Sequence, residues 1–322
     1  MTEKFVGLGY DQVLLVPGAS NVLPHTVSVT ADLAADFKLN VPLISEAFGP
    51  ATDTRVVPMA LNGGLGVVAE QADLAAQVEV VASAKEAYVS ATAYPKALVD
   101  AQGRLRVGAE VWLTQGAGER VSALVGAGAD AIFLYLQASL DDEAIALVQG
   151  LRADFPATFL AVGVIEAPEQ AQALYEAGVD AVLAGRSVDS DLPNDVTYPF
   201  LTVTMGVAEV AAAFDKATIA VGGVHYSGDI VKAVAAGADA TMVNDLLKGS
   251  TLADDGTVTA GDLSIDDAIF QADGGLRAGM GYTGSASLAE LKAGGRFVQI
   301  TDNGLRESHP HDVEITKQAP NY

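Results

Sequence analysis

The stretch SGDIVKAVAAGADATMV, Ser227–Val243, holds a complete passage from helix to strand. Ser227–Gly237 is amphipathic, with apolar residues recurring at helical spacing. It stops at a glycine, the residue that most readily takes the left-handed backbone of a helix end. The apolar run Ala240–Val243 then has the length of a strand. Ala236-Gly-Ala-Asp239 joins the two, and nearly the same four residues recur as Ala127-Gly-Ala-Asp130 and Ala177-Gly-Val-Asp180. Helical patterns, Glu119–Gly128 and Ala167–Gly178, precede these two, and on the first Val121, Leu124 and Val125 share a face. One turn repeated at the same place in the pattern marks a parallel β/α array.

Working outward, strands are predicted at Val41–Ser45, Leu65–Ala69, Leu105–Val111, Ala131–Leu136, Thr158–Val164, Ala181–Gly185, Thr218–Val221 and Ala240–Val243. Eight strands alternating with helices predict an α/β fold, a (β/α)8 TIM barrel. A doubly wound open sheet is the alternative. No Pro-, Gly- or Ser-rich linker divides the chain, so residues 1–322 read as a single domain, with a long loop expected over Ala91–Gly103. Reactive groups of such a barrel sit at the carboxyl ends of its strands. Those places are Glu46 and Phe48, Tyr135–Ser139, Val164–Glu166, Arg186–Asp195, Val221–Val224, and Asn244 with Asp245.

Composition narrows the function. Half of the 322 residues are hydrophobic and 33 are glycine, which describes a large packed core. Eighteen basic against 41 acidic residues leave a net charge of −23. Such a surface repels phosphate backbones and anionic membranes, so neither nucleic acid nor membrane is an expected partner. The chain contains no cysteine, which excludes disulfides, thiolate zinc sites, iron–sulfur clusters and a cysteine nucleophile. No apolar run reaches the roughly 18 residues of a membrane helix. Met1–Tyr10 lacks the basic end and apolar stretch of a signal peptide, so a cytoplasmic protein is expected.

Four strings carry a family resemblance: GLGYDQVLLVPGASNVLP (Gly7–Pro24), GGVHYSGDIVKAVAAGADA (Gly222–Ala240), GGLRAGMGYTGS (Gly274–Ser285) and GLRESHPHDVEITKQAPNY (Gly304–Tyr322). Together they closely resemble the IMP dehydrogenase and GMP reductase family, almost end to end. The resemblance implies a barrel that assembles as a tetramer, with segment 1–40 and the C-terminal arm 296–322 packing on or between subunits. Most IMP dehydrogenases insert a pair of CBS modules after the second barrel unit, whereas this chain runs directly through Ala91-Thr-Ala-Tyr-Pro95. The family's chemistry is attack of a cysteine on C2 of IMP, hydride transfer to NAD, and hydrolysis aided by an Arg–Tyr pair on a flap.

Position by position, this chain departs from that pattern. Ser187–Asp195 matches the catalytic loop, with Ser190 on the phosphate-binding serine and Leu192 on the nucleophile. Where the family has A-D-G-G, this chain has Ala220-Val-Gly222-Gly223, which keeps the phosphate-cradling glycines and loses the ribose anchor. M-L-G-S becomes Met242-Val-Asn244-Asp245, so a carboxylate would face the phosphate. On the cofactor side, Tyr135 replaces an Asp, Gln137-Ala-Ser139 replaces A-H-G, and Val164 replaces an Asn. S-A-A-M-D is Ser45-Glu-Ala-Phe-Gly49, and Leu246–Gly274 is too short for the flap.

Three groups of candidate residues remain. Ser190, Gly222, Gly223, Asn244 and Asp245 form a vestigial phosphate or purine-nucleotide site, or a tight turn. Glu46, Glu166, Asp189, Asp191, Asp195 and Asp245 gather at the barrel mouth, as a site for a divalent cation or an amine, or as solvated charge with Arg186 neutralising part of it. Glu307, Ser308 and His309 match the segment that helps a neighbouring subunit hold potassium, or serve as a structural arm. His25, His225, His309 and His311 are scattered, without Ser–His–Asp order. The expected function is a family barrel that has lost dehydrogenase catalysis, a pseudoenzyme working as a homotetramer or co-assembling with an active homologue. NAD enters by resemblance alone. The alternatives are new chemistry at the acidic mouth, and a conventional NAD-dependent IMP dehydrogenase.

Overall fold

The structure, a computed structural model, describes residues 6–47, 49–137, 140–186, 198–247 and 264–308. Eight parallel strands form the central sheet: β1 (Leu43–Ser45), β2 (Gly66–Val68), β3 (Val107–Trp112), β4 (Ala131–Tyr135), β5 (Phe159–Ile165), β6 (Ala181–Gly185), β7 (Ala217–Val221) and β8 (Ala240–Val243). One helix follows each: α1 (Val56–Leu61), α2 (Leu74–Lys85), α3 (Ala117–Gly126), α4 (Asp142–Asp154), α5 (Ala171–Glu176), α6 (Phe200–Phe214), α7 (Ser227–Ala235) and α8 (Ile265–Thr283). Two more helices, α9 (Leu288–Gly294) and α10 (Asp302–Ser308), come after the last unit.

The strand order is β1-β8-β7-β6-β5-β4-β3-β2. A parallel bridge between Ile44 and Leu65 joins its two ends. There the Ser45 N–H donates to the Leu65 carbonyl and the Leu65 N–H to the Leu43 carbonyl, both at 3.0 Å. The Val67 N–H is taken by the Ser45 hydroxyl, also at 3.0 Å. The sheet is therefore a barrel, and the open doubly wound arrangement is excluded. All eight predicted strands are present, displaced by at most a few residues. The long loop is wider than expected, spanning residues 86–106 between α2 and β3.

Strand alternation divides the core in two. On β4, Ala131, Phe133 and Tyr135 face the cluster that fills the barrel, while Ile132 and Leu134 face the layer beneath the helices. A hairpin of Ala31–Ala34 and Phe37–Leu39 closes the N-terminal end, with Phe37 stacked on Phe159 at 4.5 Å between ring centres. Val13–Leu15 pairs with Phe297–Gln299 and ties the two chain ends together. No helix among the described residues is long and apolar enough to cross a membrane.

The repeated turn has a common physical basis. Gly128, Gly178 and Gly237 all have φ between +92° and +111°, a backbone that a side chain strains. The aspartate two residues later reaches back to the start of the preceding strand. Asp130 accepts from the Val107 N–H at 2.8 Å and from Lys85 Nζ at 2.7 Å. Asp180 accepts from the Leu160 N–H at 3.0 Å and from Arg152 at 2.6 Å, with Lys216 at 3.3 Å. Asp239 accepts from the Thr218 N–H at 2.9 Å and pairs with Lys292. Each aspartate thus satisfies a strand N–H and holds a neighbouring cation.

Candidate functional site

Parallel strands bring their carboxyl ends to one rim. Glu46, Tyr135, Val164, Glu166, Arg186, Gly222, Gly223, Asn244 and Asp245 all lie at that end. Phe48, Ala138, Ser139, Asp189, Ser190, Asp191, Leu192, Asp195, His309 and His311 lie outside the described residues.

The interior of the mouth is acidic and aromatic. Glu46 and Glu110 are 4% and 5% exposed. Glu110, on β3, accepts the Glu70 N–H at 3.0 Å, and Glu70 in turn accepts the Trp112 N–H at 2.6 Å. Trp112 and Tyr135 stand opposite one another in the β3–β4 register, with ring centres 5.7 Å apart. The Tyr135 hydroxyl points at the Met242 sulfur, 3.6 Å away. Burial first, then the nearby Glu46 and Glu110 charges, push its pKa well above that of a free phenol, so Tyr135 stays protonated. Glu110 was missed in the sequence, although a charge inside the apolar run Leu105–Val111 was a usable signal.

The two loops that resemble the family's phosphate site are closed on themselves. Gly222 and Gly223 have φ of +81° and +70°. A Cβ on either would lie 2.6–2.7 Å from the Phe200 ring, so conformation and packing account for both glycines. After β8, the Asn244 side-chain oxygen Oδ1 accepts from Arg55 at 2.8 Å. Burial lowers the pKa of the Arg55 guanidinium, and the charge of Glu46 works against that shift. Asp245 meets His225 Nδ1 at 2.9 Å, which links the loops after β7 and β8. Glu166 faces Arg186 at 3.8 Å. Of the described members of the predicted acidic group, Glu46 lies near Arg55, Glu166 faces Arg186 and Asp245 meets the His225 ring. Among the described residues no group of three or more His, Asp or Glu could hold a metal ion. Glu307 and Ser308 are exposed at the end of α10, where the Ser308 hydroxyl donates to the Leu305 carbonyl at 2.7 Å.

The family model for the IMP dehydrogenase / GMP reductase domain matches residues 7–263 and 255–311. The chain belongs to that family. Among its IMP dehydrogenase / GMP reductase relatives, the inosine-5'-monophosphate dehydrogenase of Aquifex aeolicus is 28% identical over 477 residues, covering 98% of this chain and 97% of the relative. That of Streptococcus pyogenes is 27% identical over 484 residues, covering 99% and 98%. That of Chlorobaculum tepidum is 34% identical over 280 residues, covering 71% and 57%. The first two alignments are longer than the 322 residues of this chain, so those relatives carry residues with no counterpart here.

Proposed function

We propose that this IMP dehydrogenase / GMP reductase barrel does not perform cysteine-dependent dehydrogenation and serves as a cytoplasmic regulatory or assembly partner linked to purine nucleotides. The carrying observation is the absence of cysteine from all 322 residues. A covalent adduct at C2 of IMP needs a thiolate, and Leu192 at the matching position offers no lone pair. The mouth supports the same reading. Arg55 holds Asn244 and His225 holds Asp245 where the family pattern has Gly-Ser. A carboxylate at hydrogen-bonding distance from a phosphate costs several kcal/mol unless a cation intervenes. Matches running through both terminal segments support retained assembly surfaces, and with them a homotetramer or co-assembly with an active homologue.

The test is NADH formation from IMP and NAD by the purified protein, with light scattering to measure the assembly. No turnover and a tetrameric mass are expected. Turnover that survives purification to homogeneity overturns the reading. The names of the relatives favour a second reading, a conventional NAD-dependent dehydrogenase. The same assay decides between them.

A further inference from the structure

A cavity of about 520 Å³ opens beside the loop after β7, roofed by the N-terminal segment and α10. Small-molecule sites span about 300–1,000 Å³, mostly apolar with a few convergent polar groups. Three rings from three separate segments line this one: Tyr10, Phe200 and Tyr226. Its polar groups include Asp11, His225, Asp229 and Lys232.

Two of those groups are already committed to the fold. Lys232 Nζ donates to the Tyr10 carbonyl at 2.6 Å and faces Asp229 at 3.4 Å. Asp229 accepts the N–H groups of His225 and Tyr226 at 3.1 and 3.0 Å. Asp11 and His225 remain to meet a ligand. Asp11 takes no hydrogen bond or ion pair from any described residue. A neutral His225 that donates from Nδ1 to Asp245 presents Nε2 as an acceptor. The cavity therefore offers acceptors and an excess of negative charge.

We propose that this lateral cavity binds a flat aromatic heterocycle bearing N–H or amine donors and no phosphate. The half-buried Phe200 and Tyr226 supply stacking surface, while Tyr10 is almost fully buried behind them. Asp11 and Nε2 of His225 accept from the ligand's donors, and the Asp11 charge, with Asp229 already offset by Lys232, disfavours an anionic one. The inference rests on the preceding reading only in taking purines as probes, because NADH formation tests that reading separately.

The experiment is calorimetric titration of the full chain with guanosine, inosine and GMP. Guanosine carries ring N–H and amine donors, inosine lacks the amine, and GMP adds only the phosphate. Saturable guanosine binding is expected, at least tenfold tighter than GMP and tighter than inosine. Asp11→Asn and His225→Ala should each weaken guanosine at least fivefold while the thermal midpoint stays close to the parent's. Asp11 lies exposed at the rim, so its variant keeps the test sound even if the histidine variant disturbs its loop. GMP binding equal to or tighter than guanosine, no saturable guanosine binding, or indifference to Asp11→Asn overturns the proposal.

Discussion

Asp180→Ala tests the physical basis of the repeated turn. In the wild-type protein the Asp180 carboxylate takes the Leu160 N–H, Arg152 and Lys216. Leu160 is fully buried, so its N–H would lose its partner where water does not reach. An orphaned buried donor costs about 1–3 kcal/mol. Arg152 keeps three carbonyl acceptors, of Phe155, Pro156 and Thr158, at 3.3, 3.0 and 3.1 Å, so its loss is partial. Lys216 is 32% exposed, and such pairs contribute about 0.2–1 kcal/mol. The sum is about 3 kcal/mol. At about 2 °C per kcal/mol for a chain of this size, the midpoint should fall by about 6 °C. Asp180→Asn can still accept from Leu160 and should lose about half as much. Differential scanning calorimetry of the parent and both variants measures this. A midpoint within about 1 °C of the parent for Asp180→Ala, or an Asn variant as damaged as the Ala variant, refutes the assignment.

Three further outcomes follow from the geometry. Gly223→Ala should cost about 1–2 kcal/mol from its positive φ, plus the clash with Phe200. In a Phe200→Ala background only the backbone part should remain, and a double-mutant cycle followed by thermal unfolding reads the coupling. Burial raises the Asp100 pKa, but the Arg104 backbone bond and the Lys85 and Arg104 side chains outweigh it and bring the value from 3.8 to about 2. A carboxylate depressed in the folded state contributes stability that is full above the unfolded pKa. That stability should fade as pH drops from about 4 through about 2, and acid titration of Asp100→Asn should show a flatter profile over that window. Millimolar Mg²⁺ or Ca²⁺ should leave the thermal midpoint unchanged, because Glu46 and Glu166 each have a cation nearby and Asp245 is held by the His225 ring. A shift abolished by Asp245→Ala would instead establish a cation site.

The barrel was legible because its signals are local and repeated. Gly128, Gly178 and Gly237 each mark a helix end, and the aspartate two residues after each stands immediately before a strand. Barrel-mouth positions followed from strand ends alone, so Glu46, Tyr135, Gly222 and Asp245 were placed without any contact information. What partners those side chains was not legible. Arg55 reaches Asn244 across 189 residues of sequence, and His225 meets Asp245 only because β7 and β8 are neighbours. The glycines after β7 were ambiguous for a similar reason. Their close neighbour, Phe200, belongs to another helix, and no spacing rule connects them.

The three aspartate clasps precede β4, β6 and β8, and β2 has none; Asn62-Gly63-Gly64-Leu65 leads into it instead. The β1–β2 junction also joins through the isolated Ile44–Leu65 bridge, with the Ser45 hydroxyl standing in for a backbone acceptor. The closed cylinder therefore has a seam. Local opening begins where the fewest bonds must break together. Amide protons of Leu65 and Val67 should exchange ahead of those of β4 and β6, and the circle of strands should part at the place where its first and second units meet.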